Sequence, residues 1–113
     1  MEQELDMETI GFQMITAAGQ AKSCYMEALE AAKNNDFEQM VVHITDGDTY
    51  FLEGHNIHGT LISKECSGDK VCMTLFLTHV EDQMASAETT KLFVQELAEL
   101  YQKMAEDYHE SEQ

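Results

Sequence analysis

Proline is absent from this 113-residue chain, and glycine occurs only 6 times. Without proline nothing forces a helix to kink or stop, so long uninterrupted helices are permitted. Basic residues are scarce as well: 6 Lys plus Arg stand against 22 Asp plus Glu, a formal net charge of −16. A surface of that sign repels the phosphates of nucleic acid and of anionic lipid, which excludes a nucleic-acid partner and direct membrane insertion. It suits a soluble protein that meets basic partner surfaces. No apolar run approaches the roughly 20 residues of a membrane span. The acidic N-terminus has no apolar signal-peptide core, so a cytoplasmic location is expected. Cysteine is limited to Cys24, Cys66 and Cys72. An odd count without C-x-x-C spacing argues against a disulfide framework or a zinc knuckle. Buried free thiols in a reducing compartment are the expectation.

What is present reads as helix. Hydrophobic residues make up 43% of the chain, enough for a core. The length favours one domain, residues 1–113, with 1–6 and 106–113 expected to be flexible. From Met7, residues Ile10, Met14, Ala17, Ala21, Cys24, Ala28 and Ala31 recur in alternating steps of four and three. This is a seam of small residues that lets helix axes approach closely, and it reads as core. Lys33-Asn34-Asn35 breaks the pattern, and Asp36 is placed to cap a second helix, with Gln39 at the capping-box position. Phe37, Val41, Ile44, Phe51 and Ile62 then suggest one broad apolar face. Asp46-Gly47-Asp48 reads locally as a turn, yet the flanking apolar spacing stays in helical phase, which favours continuity. Lys64 suits a helix C-terminus, and Gly68 suits a left-handed cap.

Thr74 is the natural cap of a third helix. Phe76, His79, Gln83, Ser86, Thr90, Phe93, Leu97, Leu100 and Met104 step by threes and fours along it. The first half of this seam is polar and the second half apolar. Burying unpaired polar groups costs stability, so the polar half is a place to look for function. Apolar stripes on several faces of three long helices suggest association with copies of the same chain.

The chemistry-bearing candidates are few. His79 sits about a turn into the third helix, with Asp82 three residues on and therefore on a shared face. Neutral imidazole is a good nucleophile toward phosphorus, and a carboxylate one turn away can orient the ring or bind a cation. His55 and His58 have the i, i+3 spacing of half a metal site, without further ligands at obvious spacing. No Walker loop, nucleophile elbow or dinucleotide fingerprint occurs, so ATP binding by the chain itself is not supported.

From about Met7 to Tyr101 the chain resembles the enzyme IIA component of the lactose/cellobiose class of the bacterial sugar phosphotransferase system. Ile10-Gly-Phe12, Ala18-Gly19, Glu27-Ala-Leu29 and Asp36-Phe37 carry the likeness early, and Glu53-Gly-His55 and Glu65-Cys-Ser-Gly68 carry it in the middle. The specific signature is His79, then Asp82, then Met84. The resemblance implies an all-α, three-helix antiparallel protomer that assembles as a homotrimer. It implies a phosphotransferase in which His79 accepts phosphate from the histidine-containing phosphocarrier protein and passes it to a cysteine of enzyme IIB. It also implies that three copies of Asp82 hold one divalent ion, commonly Mg2+, on the threefold axis. Glu81, Gln83 and His58 depart from the family pattern. Glu81 is expected to put negative charge beside the phosphate, and Gln83 can hydrogen-bond but not titrate. His55, His58, Glu81 and Gln83 are the supporting site candidates. The alternatives are a non-catalytic scaffold that kept the fold, or a metal-binding helical oligomer built on His55 and His58.

Overall fold

In the computed structural model, which describes residues 2–112, three helices follow one another. They are α1 (Glu2–Lys33), α2 (Phe37–Cys66) and α3 (Leu75–Glu112), and no strand occurs among the described residues. They form an up-down-up bundle 67 Å long and 20 Å across. α1 begins before Met7 and α3 continues beyond Tyr101 to Glu112. Neither extension contains a glycine or proline to end it, and acidic residues at a helix N-terminus complement its dipole. Met1 and Gln113 lie outside the described residues.

Both turns are closed by the residues that the sequence marks. After α1, Asn35 takes a left-handed conformation at φ 60°, Asp36 N–H donates to the Ala31 carbonyl at 2.9 Å, and Asn35 N–H to that of Ala32 at 3.0 Å. That pair of bonds is a Schellman cap with asparagine in the place glycine usually takes. Asp36 then caps α2, its Oδ1 accepting from Gln39 N–H at 3.2 Å. The same cap closes α2, with Gly68 at φ 99° and Asp69 N–H bonded to the Lys64 carbonyl. Thr74 caps α3 through Oγ1, which accepts from Leu77 N–H at 3.0 Å.

α1 is the central helix: it packs along both α2 and α3, while α2 and α3 touch each other least. Its buried face is accordingly wider than one seam. Met14, Ala17, Ala21, Ala28 and Ala31 are buried as the periodicity predicts, and Ala18, Tyr25 and Ala32 join them in the adjacent phase.

The apolar face expected for α2 is not its buried one. Val41 and Ile62 are exposed, whereas Met40, Gly47, Gly54 and Leu61 are buried, one every seven residues. The reason is close approach to α1. A Cβ at Gly54 would lie 3.2 Å from Ala17 Cβ, and one at Gly47 only 2.7 Å from a Tyr25 ring carbon. Glycines that resemble helix breakers in the sequence are thus the positions where side chains of α1 lie directly against the α2 backbone. The α3 seam differs in the same way. Its buried residues are Leu77, Val80, Met84, Ala87, Val94 and Ala98. The stripe containing His79, Phe93, Leu97, Leu100 and Met104 is exposed and faces away from the other two helices.

The stretch Asp46-Gly47-Asp48 stays helical, and the carboxylate of Asp48 is answered across the bundle. The fully buried Tyr25 donates its hydroxyl to Asp48 Oδ1 at 2.6 Å, and Lys91 Nζ of α3 lies 3.5 Å from the same oxygen. Lys91 also sits 4.7 Å above the Phe51 ring. Three helices are tied at one point. Burial, then the hydrogen bond to Asp48 and its negative charge, raise the Tyr25 hydroxyl pKa well above the ordinary tyrosine value. A raised acid constant means that the folded protein keeps a proton the unfolded chain releases. This stabilisation is complete below the unfolded pKa of about 10 and is lost as pH rises above it. The thermal midpoint should therefore fall beyond pH ~10. Tyr25→Phe should flatten that fall while costing about 1 kcal/mol at neutral pH for the lost hydrogen bond. An unchanged alkaline slope in Tyr25→Phe would show that another group governs it.

The cysteines correct an expectation. Only Cys24 is half-buried; Cys66, the last residue of α2, and Cys72, within the connection to α3, are exposed. Burial, then the carboxylates of Glu27 and Asp46, push the Cys24 thiol up, which disfavours its reactive thiolate.

Candidate functional site

α3 emerges from its Thr74 cap into solvent on one side, and His79 stands on that side, one turn in. Its ring is exposed, as is the carboxylate of Asp82. Leu75, one turn before His79, is 89% exposed, so the approach to the imidazole is open. Beneath this open face the helix is rigidly seated. Leu77 and Val80 are buried, and the Phe76 ring packs on Gly11 and against Phe12 at 4.9 Å between centroids.

The six sequence-selected residues fall into two groups. His79, Asp82 and Gln83 share the outer side of α3, as their spacing requires. Glu81 does not join them. Two residues apart on a helix is a rotation of roughly 200°, and Glu81 points to α2. There both its carboxylate oxygens meet His58 Nε2, at 2.7 and 2.9 Å. The expected negative charge beside His79 is therefore turned away and engaged by a histidine on the neighbouring helix. His58 and Glu81 are two of the departures from the family pattern, and the fold makes them partners.

His55 is exposed and stacked on Phe51, with ring centroids 5.9 Å apart and planes 17° apart. With His58, Glu81 and Glu88 it borders a shallow pocket between α2 and α3, floored by Phe51 and Met84. Among the described residues no group of three His, Cys, Asp or Glu side chains is arranged to hold a metal ion. His55 and His58 therefore belong to no such group among the described residues.

One residue near His79 escapes sequence reasoning. Lys22 of α1 reaches across to α3 and donates from Nζ to Gln83 Oε1 at 3.2 Å. A lysine midway along an alanine-rich helix resembles an ordinary solvent-facing residue. The available signal is its phase. Lys22 follows Ala18 by four, and Ala18 is buried against α3.

The up-down-up bundle is the fold of a helical enzyme IIA protein of known structure. The chain superposes on the cellobiose-specific enzyme IIA from Bacillus anthracis with a TM-score of 0.84 at 32% identity, over 87% of this chain and 90% of that one. Residues 9–102 match the family described as PTS system, Lactose/Cellobiose specific IIA subunit, and the chain belongs to that family. It is 37% identical to the lichenan-specific phosphotransferase enzyme IIA component of Bacillus subtilis (strain 168), over 89% of this chain and 92% of that protein. It is 32% identical to the oligo-beta-mannoside-specific EIIA component of the same organism, over 83% and 86%. It is 29% identical to the lactose-specific EIIA component of Staphylococcus aureus (strain N315), over 87% and 95%.

Proposed function

We propose that this enzyme IIA carries a phosphoryl group on His79. It receives the group from the histidine-containing phosphocarrier protein and gives it to a cysteine of enzyme IIB during uptake of a lactose/cellobiose-type sugar. The observation that carries this reading is the exposed ring of His79, held at the start of a firmly packed helix on a face no other helix of the chain covers. One nitrogen of the His79 ring attacks phosphorus in line as the donor's N–P bond breaks. Each ring keeps the proton on its other nitrogen, so no water or net proton is consumed. In the second step the N–P bond to His79 breaks as an S–P bond forms on the enzyme IIB thiolate. Transfer of this kind needs positioning and charge stabilisation above all. With only 6 basic residues in the chain, much of the positive charge is supplied by basic docking faces, which the acidic surface steers.

The same outer face supports the homotrimer. Phe93, Leu97, Leu100 and Met104 are 64%, 40%, 51% and 55% exposed, a heptad-spaced apolar stripe on α3. Packing three such stripes around an axis covers them. It also brings together three copies of Asp82, which lies on the same side of α3. Carboxylate oxygens are the hard donors Mg2+ takes, and one per chain needs three chains to make a site. Asp82 would hold the ion there, and the ion would offset the repulsion of three converging negative charges. Leu97→Asp should convert a trimer to monomers, read by sedimentation equilibrium. A trimeric Leu97→Asp protein would place the interface elsewhere.

Among the described residues no helix is long and apolar enough to cross a membrane, and the proposed place of action is the cytoplasm. The test is incubation with phosphoenolpyruvate and the general phosphotransfer proteins, which should give an acid-labile, base-stable phosphate on His79. A scaffold homologue, or an oligomer that binds metal through His55 and His58, would take no label.

A further inference from the structure

We infer that Lys22 is a positioning residue for phosphoryl transfer. It fixes the Gln83 side-chain amide so that the N–H donors of this amide face the group carried by His79. The inference rests on the carrier reading of His79.

Lysine has three donors and no acceptor, so its contact with Gln83 at 3.2 Å selects the carbonyl end of the amide. The amide is thereby oriented, with Nε2 and its two N–H donors turned away from Lys22. Gln83 follows His79 by four residues and shares its face. Side chains on an α-helix lean toward its N-terminus, so Gln83 leans back over the turn that bears His79. A phosphoryl group on the imidazole offers only acceptor oxygens. An amide presenting N–H stabilises it, and an amide flipped to present C=O repels it. Among the described residues the hydrogen bond from Lys22 is the one that holds this amide.

The charge of Lys22 serves the same end. It is half-buried, and its partner is a neutral amide, although carboxylates outnumber cations 22 to 6. Lys33 faces Glu30 and Lys91 faces Asp48 instead. Among the described residues no carboxylate forms an ion pair with Lys22, which is one residue removed from the phosphoryl position. Polarising the Gln83 carbonyl also strengthens the N–H donors at its other end.

The experiment measures the equilibrium and rate of phosphoryl transfer from the phosphorylated phosphocarrier protein to the wild type, Lys22→Met, Lys22→Arg, Gln83→Met and the double variant Lys22→Met/Gln83→Met. Lys22→Met keeps the stem without the charge, and Gln83→Met keeps the length of the side chain without the N–H donors or a new charge. Each should lower the transfer equilibrium constant about tenfold, the effect of one hydrogen bond to a charged group. Lys22→Arg should remain near wild type, and the double variant should lose less than the sum of the two single losses, because both changes act on one device. In the wild type the Gln83 side-chain NH2 resonances should shift on phosphorylation. Wild-type equilibria in Lys22→Met, additive losses in the double variant, or unmoved NH2 signals would each overturn the inference while leaving a labelled His79 in place. A wild type that takes no label would instead defeat the carrier reading, and this inference with it.

Discussion

Replacing His79 by alanine is expected to abolish phosphoryl labelling outright while leaving the helical bundle as stable as before. The two halves of this expectation have separate physical origins. The other polar groups along this stripe of α3, Asp82, Gln83, Ser86 and Thr90, do not replace imidazole: a carboxylate, an amide or a hydroxyl does not form the same phosphoramidate. The loss should be complete rather than graded. Stability should be spared because His79 is exposed in a helix interior, where alanine is the best helix former and a surface substitution changes stability by about 0.5 kcal/mol or less. His58→Ala is the matched control. It breaks the 2.7 Å contact to Glu81 on the far side of α3 and should cost about 1 kcal/mol of stability, yet retain the label. Labelled His79→Ala protein, or unlabelled His58→Ala protein, would move the chemistry from the outer face to the pocket between α2 and α3.

How much of this was legible in the sequence depends on what each feature needs. The caps at Asp36, Gly68 and Thr74 are local, a few residues deciding a few hydrogen bonds, and the sequence predicts all of them. The three-helix architecture follows from the long helical periodicities and from the family resemblance. What periodicity misassigned was direction. On α3 two interleaved stripes exist, and the stripe with the larger side chains, Phe93, Leu97 and Leu100, is the exposed one. The inner stripe is smaller, with Ala87, Val94 and Ala98 buried, because α1 presses close with alanines of its own. Size alone does not tell a core that needs small residues from an oligomer face that uses large ones. Glu81 was misplaced for a related reason. Its position in sequence is beside His79, but its orientation depends on where α2 lies. Lys22 was missed because a contact spanning 61 residues leaves no local trace.

Gly47 yields the largest stability effect, and its sign opposes what helix propensity alone predicts. An alanine in a helix interior is better than glycine by roughly 1 kcal/mol. At Gly19 and Gly59 a new Cβ meets nothing within 4 Å, so Gly19→Ala and Gly59→Ala should stabilise by about 0.5–1 kcal/mol. At Gly47 the same methyl group would sit 2.7, 2.9 and 3.1 Å from three carbons of the Tyr25 ring. That ring is fully buried, and its hydroxyl is held by Asp48 at 2.6 Å. It cannot swing aside without giving up the bond that joins α1 to α2. Spreading the helices instead would open the packing around Ala21 and Ala28. Overpacking of this kind costs about 1–3 kcal/mol, and loss of the buried hydrogen bond adds about 1 more. The net expectation for Gly47→Ala is destabilisation by about 2 kcal/mol, read as a lower urea midpoint with the other two variants shifted upward. If all three alanine variants shift upward together, Tyr25 does not fill the groove over Gly47.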